Sequence, residues 1–129
     1  MKKIILVFLI SMIGANVSKA QVAYKNVSAY EFKNLLEKQK GVLIDLRTPD
    51  EIKKGKIKGA TEIDFLAVDF NKEADKLDKS KTYFLYCAGG GRSADAAEIL
   101  TSKGFKHVIN LEKGFADWKK QNFEIEKKP

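Results

Sequence analysis

The residues best suited to chemistry stand together at positions 87–93, Cys-Ala-Gly-Gly-Gly-Arg-Ser. Cys87 is the only cysteine of the chain. Gly89, Gly90 and Gly91 can fold the backbone tightly with positive φ and bring its N–H groups close to a ligand. The run after Ser93, Ala94 to Gly104, reads as a helix, so its unpaired N–H groups and positive dipole end face the same point. Arg92 adds a permanent charge and a fork of donors. Such an anion cradle lowers a thiol's pKa and favours the thiolate, the nucleophilic form. Ser93 is placed to cap the helix, which leaves it able to bond sulfur or a bound anion as well. The plain alternative is a buried, inert cysteine beside a flexible turn. The glycines, Arg92 and the strand–helix setting argue together against it.

Elements that alternate in type must position this loop. Tyr24 to Ser28 is a short extended start. Ser28 and Glu31 form a capping box that opens a helix carrying Phe32, Leu35 and Leu36 on one face, stopped near Gly41. Gly41 to Arg47 is an apolar run bounded by Thr48-Pro49, hence a buried strand. Pro49 to Gly55 is a short helix with acids in its first turn. Ala60–Phe65 reads as a strand, and Leu66–Asp78 as a poorly amphipathic helix. Lys81–Cys87 is the most apolar strand, residues 93–103 a helix, His107–Leu111 a last strand and Gly114–Gln121 a last helix. Alternation of this kind means βαβ units, a parallel sheet and helices on both faces. Ligand sites in such sheets lie beyond the carboxyl ends of the strands, where Cys87 falls.

The chain has 129 residues and is 44% hydrophobic, enough for one domain with one core. Its amino terminus has the order of a secretory leader: Lys2 and Lys3, an apolar run from Ile4 to Ile13, then Ser18-Lys19-Ala20. The run falls short of the roughly 20 apolar residues of a spanning helix. Cleavage is therefore expected after Ala20, giving a leader over 1–20, a mature domain over 21–129, and a periplasmic or secreted protein without a stable membrane anchor. Cleavage removes three lysines and lowers the net charge from +7 to +4. The remaining lysines read as a mildly basic surface without the aromatic interleaving of a nucleic-acid site. A lone cysteine in an oxidising compartment is a liability unless buried or used. Lone His107 has no companions for a metal site, and Trp118 reads as a packing residue. Lys53, Lys54, Lys56 and Lys58 form either a solvated face or a docking patch for an acidic partner.

Cys87-Ala88-Gly89-Gly90-Gly91-Arg92-Ser93 resembles the active loop of rhodanese-like sulfurtransferases, Cys-x-x-Gly-x-Arg-Ser. Residues 42–60 resemble that family's Asp-Leu-Arg strand end and Gly-x-Ile-x-Gly-Ala turn. Residues 109–119 resemble its closing Leu-x-x-Gly turn with a tryptophan in the last helix. Lys56 and Lys58 stand where the family often has histidine and proline, and Lys113-Gly114 where it usually has Gly-Gly. The resemblance implies a three-layer α/β/α domain with a mainly parallel sheet and no cofactor. It implies that Cys87 takes a sulfane sulfur from a small donor such as thiosulfate, carries it as a persulfide, and passes it to a thiol or cyanide-type acceptor. By position, the backbone of Ala88 to Ser93 stabilises that persulfide, and Asp45 and Arg47 brace the loop. For Asp45 and Arg47 a surface ion pair of little consequence is the other reading. Three rivals remain: a non-enzymatic sulfur carrier or docking module, a thiol redox sensor, and a cysteine phosphatase or arsenate reductase. The phosphatase signature is Cys-x5-Arg, whereas four residues separate Cys87 from Arg92.

Overall fold

The computed structural model describes residues 24–127; the leader expected over residues 1–20 lies outside them. Strands and helices alternate as β1 (Lys25–Val27), α1 (Ala29–Lys38), β2 (Val42–Asp45), α2 (Pro49–Ile52), β3 (Thr61–Glu62), α3 (Phe70–Asp75), β4 (Thr82–Tyr86), α4 (Gly91–Ser102), β5 (His107–Leu111) and α5 (Gly114–Lys120). Every pairing between these strands is parallel, in the order β1-β5-β4-β2-β3. No helix among the described residues is long and apolar enough to cross a membrane.

The pleat sorts the side chains of the sheet into two cores. Phe84 and Tyr86 of β4, with Ile109 and Leu111 of β5, meet Phe32 of α1 and Phe115 and Trp118 of α5. Tyr83, Leu85 and the following Cys87 face the other way, onto Ala96, Ala97 and Leu100 of α4 and Phe70 and Ala74 of α3. The result is the three-layer α/β/α arrangement expected from the alternation. Trp118 is buried as a packing residue, edge-on to Phe32 and Phe123.

Local differences from the sequence reading have local causes. α1 opens where expected, with the Ser28 hydroxyl accepting the Glu31 N–H, but its last helical residue is Lys38 and the chain is extended at Gln39, before Gly41. The strand expected over Ala60–Phe65 contributes only Thr61 and Glu62 to regular pairing. Beyond them Ile63 and Phe65 donate to the carbonyls of Asp45 and Leu46 as an irregular edge. Of the helix expected over Leu66–Asp78 only Phe70–Asp75 forms, anchored by buried Phe70 and Ala74 one turn apart. His107 is the exposed first residue of β5, at the opposite end of the sheet from Cys87. Lys56 belongs to no solvated face or docking patch. It is buried, its ammonium donates to the Ala60 carbonyl at 2.7 Å, and Glu62 and Glu126 flank it.

Candidate active site

β4 delivers Cys87 to the carboxyl edge of the sheet, under the start of α4. Its side chain is 1% exposed. Three donors converge on Sγ: the Gly90 N–H at 3.1 Å, the Ser93 N–H at 3.4 Å and the Ser93 hydroxyl at 3.4 Å. Burial alone pushes the Cys87 thiol up. The Ser93 hydroxyl and the N–H groups of Ser93, Gly90 and Gly89 outweigh it and bring the thiol below its ordinary value. The cradle argued from residue types is therefore present, built chiefly by hydrogen-bond donors, with the Arg92 charge acting on the sulfur as well.

Its construction corrects three expectations. Of the three consecutive glycines only Gly90 has positive φ, at 102°. A Cβ there would also stand 1.8 Å from the Glu112 carbonyl oxygen, so the position excludes every other residue type twice over. α4 begins at Gly91 with Gly90 as its N-cap, so Ser93 lies inside the first turn and does not cap it. Its hydroxyl turns back to Sγ and to the Gly90 carbonyl at 3.2 Å. One proton serves one acceptor at a time, and a thiolate is the stronger draw. The third correction concerns Arg92, whose guanidinium is committed to Glu51 through two bonds of 2.8 and 2.9 Å.

Glu51 escaped the sequence reading, although Thr48 and Glu51 show the spacing of a capping box. Both halves of that box form at the start of α2. Arg92 holds the Glu51 carboxyl down at about 2, well below its ordinary range. α2 is thereby tied to the loop that leads into α4. From the other side α5 grips the loop backbone: the Phe115 N–H donates to the Cys87 carbonyl at 2.8 Å and the Ala116 N–H to the Ala88 carbonyl at 3.1 Å. Gly114 permits this approach, because a Cβ on it would lie 2.6 Å from the Ala88 carbonyl carbon. The closing turn keeps the one glycine whose contact matters, which is why Lys113 is tolerated beside it.

Asp45 and Arg47 form no surface pair: they are 0% and 4% exposed. The Arg47 guanidinium meets the carboxylate at 2.7 and 3.0 Å, donates to the Gly55 carbonyl at 2.8 Å, and lies 4.2 Å from the Phe115 ring centroid. The Tyr86 hydroxyl donates to Asp45 and accepts the Ile57 N–H. Burial, with the Asp45 charge added, pushes the Tyr86 hydroxyl far up, so it stays protonated as that donor. The pair thus reaches the loop through Tyr86, which precedes Cys87, and Phe115, which holds its carbonyl. Neither intermediary was singled out by sequence, since an aromatic residue at a strand end reads as core. Gly89 and Gly91 are exposed with open space beside them, and Ala88 is half-buried. Between α2 and α5 a shallow cavity of about 230 Å3 borders Arg47, Glu51, Lys54, Ala88, Phe115 and Lys119.

The description "Rhodanese-like domain" fits a family model over residues 28–121. The thiosulfate sulfurtransferase GlpE of Coxiella burnetii is 32% identical over 96 residues, covering 74% of this chain and 88% of its own. Among solved structures, a rhodanese-like domain protein of Staphylococcus aureus shares 32% identity at a TM-score of 0.68, over 81% of this chain and 99% of that one. A rhodanese-related protein of Thermoplasma volcanium superposes with a TM-score of 0.72 at 25% identity, over 81% of this chain and all of that one. Family model, relatives and architecture agree, and the chain belongs to the rhodanese-like domain family.

Proposed function

We propose that the protein moves a sulfane sulfur from a donor such as thiosulfate to a thiophilic acceptor through a persulfide on Cys87. The observation that carries this reading is the convergence of the Gly90 N–H, the Ser93 N–H and the Ser93 hydroxyl on one buried sulfur. The name of the Coxiella relative supports the donor class. In the first step the Cys87 thiolate attacks the outer sulfur of thiosulfate. The S–S bond of the donor breaks, sulfite leaves with the electron pair, and Cys87 carries a persulfide anion. In the second step a thiolate or cyanide attacks the outer persulfide sulfur, and the electron pair returns to the Cys87 thiolate. No oxidant or reductant enters either step.

The roles divide by geometry. The Ser93 and Gly90 donors stabilise negative charge on the inner sulfur before attack and after release. The exposed Gly89 and Gly91 leave the open side through which the donor approaches. Arg92, held by Glu51, keeps the loop in shape at the mouth. The donors meet at Sγ itself; a phosphoryl group would need them further out, around its oxygens, so the phosphatase reading loses support. Intact mass after thiosulfate treatment tests the proposal. A gain of about one sulfur on Cys87, reversed by dithiothreitol, is expected, followed by thiocyanate when cyanide is added. A stable gain without turnover would make the protein a carrier, and no gain would end the reading. We further infer that the leader over residues 1–20 is removed and the domain works outside the cytoplasm. Amino-terminal sequencing from the native host should begin at Gln21, and an intact Met1 on a cytoplasmic protein would overturn that.

A further inference from the structure

Residues 55–57, in the turn between α2 and β3, are bonded on two sides. On the inner side the Gly55 carbonyl accepts from the Arg47 guanidinium at 2.8 Å, and the Ile57 N–H donates to the Tyr86 hydroxyl at 3.0 Å. Between them the backbone of Lys56 faces the other way. Its N–H donates to the Glu126 carbonyl at 2.9 Å, and its carbonyl accepts the Glu126 N–H at 2.8 Å, a single antiparallel bridge. The segment that makes this bridge follows α5 and lies beyond residues 28–121, which fit the family model. It is seated along its length. Phe123 meets Trp118 edge-on, the Glu124 carbonyl accepts the Trp118 indole N–H at 2.9 Å, and Ile125 lies against Gly55.

The Lys56 side chain fastens the same place a second time. Lys56 is 8% exposed, and an ammonium so buried is costly unless it is bonded and paired. It donates to the Ala60 carbonyl at 2.7 Å, with Glu62 of β3 at 3.7 Å and Glu126 at 3.9 Å. One cation thus gathers the end of the turn, the edge strand and the tail. The chain neighbours of Lys56, Gly55 and Ile57, complete the Asp45–Arg47–Tyr86 brace. If the turn shifts, Arg47 and Tyr86 each lose a bond. Tyr86 immediately precedes Cys87. Arg47 lies over Phe115, whose N–H holds the Cys87 carbonyl.

We propose that residues 122–126 are a strap that positions the sulfur loop, and that Lys56 is the positioning residue that fastens it. The strap closes the 55–57 turn onto Arg47 and Tyr86. These in turn keep the Cys87 carbonyl on α5 and the Gly90 and Ser93 donors aimed at Sγ. Neither Lys56 nor the strap touches substrate. A tail that only covered Trp118 would add stability and leave the ionisation of Cys87 alone. The bonds on either side of Lys56 give this tail a reach to the thiol as well. Its effect on sulfur transfer rests on the persulfide reading, whereas its effect on the ionisation of Cys87 does not.

Deleting the tail would uncover Trp118, so the test keeps the full chain and uses single substitutions. Glu126→Pro removes the N–H that donates to the Lys56 carbonyl and leaves Phe123 and Glu124 in place. Glu126→Ala keeps that N–H. Lys56→Met keeps an unbranched apolar stem and removes the ammonium. Glu126→Pro and Lys56→Met should each raise the inflection of Cys87 alkylation rate against pH. Each should also slow sulfur uptake from thiosulfate at least about threefold, the scale of coupling carried through packed and bonded neighbours. Glu126→Ala should match the parent in both measurements. Circular dichroism equal to the parent's, with assays run well below each variant's Tm, excludes misfolding. An unmoved inflection in either Glu126→Pro or Lys56→Met, even with a lowered Tm, would overturn the proposal. So would Glu126→Ala acting as strongly as Glu126→Pro. If the parent takes up no sulfur, the persulfide reading falls, and the alkylation inflections alone decide the strap.

Discussion

The two ends of the sheet treat charge in opposite ways. At the carboxyl end Arg47 is spent on Asp45 and Arg92 on Glu51, and the Cys87 sulfur is met by three donors. At the amino end the exposed Lys25, Lys40, Lys81 and Lys106 make no salt bridge among the described residues, Lys81 only helping to lower the Asp78 carboxyl through its charge. Charges answered inside the protein fix positions; charges left unanswered are available to something outside. A net charge of +7 would suggest uniform solvation, but strand direction separates the two uses. The same βαβ winding that puts every strand's carboxyl end near the loop puts every strand's first residue at the opposite edge.

Five substitutions on the carboxyl end sharpen the contrast. The largest effect belongs to Cys87→Ser: sulfur uptake from thiosulfate, read by intact mass, should vanish, while circular dichroism stays as in the parent. If sulfur still adds to the protein, Cys87 is not its carrier. Next is Gly90→Ala, which forces positive φ on a side chain 1.8 Å from the Glu112 carbonyl oxygen. A loss of at least about 2–3 kcal/mol in denaturant unfolding is expected. A fall below about 1 kcal/mol would show that the loop yields.

Ser93→Ala removes one hydrogen bond to the Cys87 sulfur, an interaction of about 1.5–3 kcal/mol when that sulfur carries charge. Sulfur uptake should drop roughly tenfold or more, and the inflection of alkylation rate against pH should rise. Because Arg92 is committed to Glu51, Arg92→Ala should move that inflection less than Ser93→Ala does. The reverse order would restore Arg92 as the main source of thiolate stability. Smallest is Glu51→Gln, seen in the pH dependence of folding. The Glu51 carboxyl lies at about 2 in the folded protein against an ordinary 4.5, so the folded state binds fewer protons there. The stability contributed by its pair with Arg92 is whole above about pH 4.5 and is lost as pH falls towards 2. The pair is partly exposed, so the contribution is under about 1 kcal/mol. Glu51→Gln should flatten stability across that window; an unchanged slope would mean other carboxyls set it.

The parts legible in the sequence were those governed by local rules. Apolar runs placed β2, β4 and β5, and the Ser28 spacing placed the start of α1. The loop at 87–93 declared itself because a thiol, glycines and a guanidinium seldom adjoin without use. What escaped depends on long-range register. Tyr86 and Phe115 join the Asp45–Arg47 pair to the loop only after β2, β4 and α5 have packed. Arg92 looked like a ligand for the sulfur because Glu51, 41 residues away, was not yet its neighbour. Ser93 looked like a cap because the helix was begun two residues late. The thin β3 edge was over-read since Ile63 and Phe65 pack by side chain while their N–H groups bond irregularly.

α5 joins the candidate site to the chain's only tryptophan. Its first turn donates to the carbonyls of Cys87 and Ala88, and Trp118, three residues past Phe115, is 4% exposed between Phe32 and Phe123 with its indole N–H on the Glu124 carbonyl. The protein therefore carries a built-in optical reporter. With one buried indole, tryptophan emission comes from a single environment, and movement of the loop reaches it along one turn of rigid backbone. Stopped-flow emission should then time sulfur loading and release without a label, and separate both from unfolding, which would shift the emission to the red.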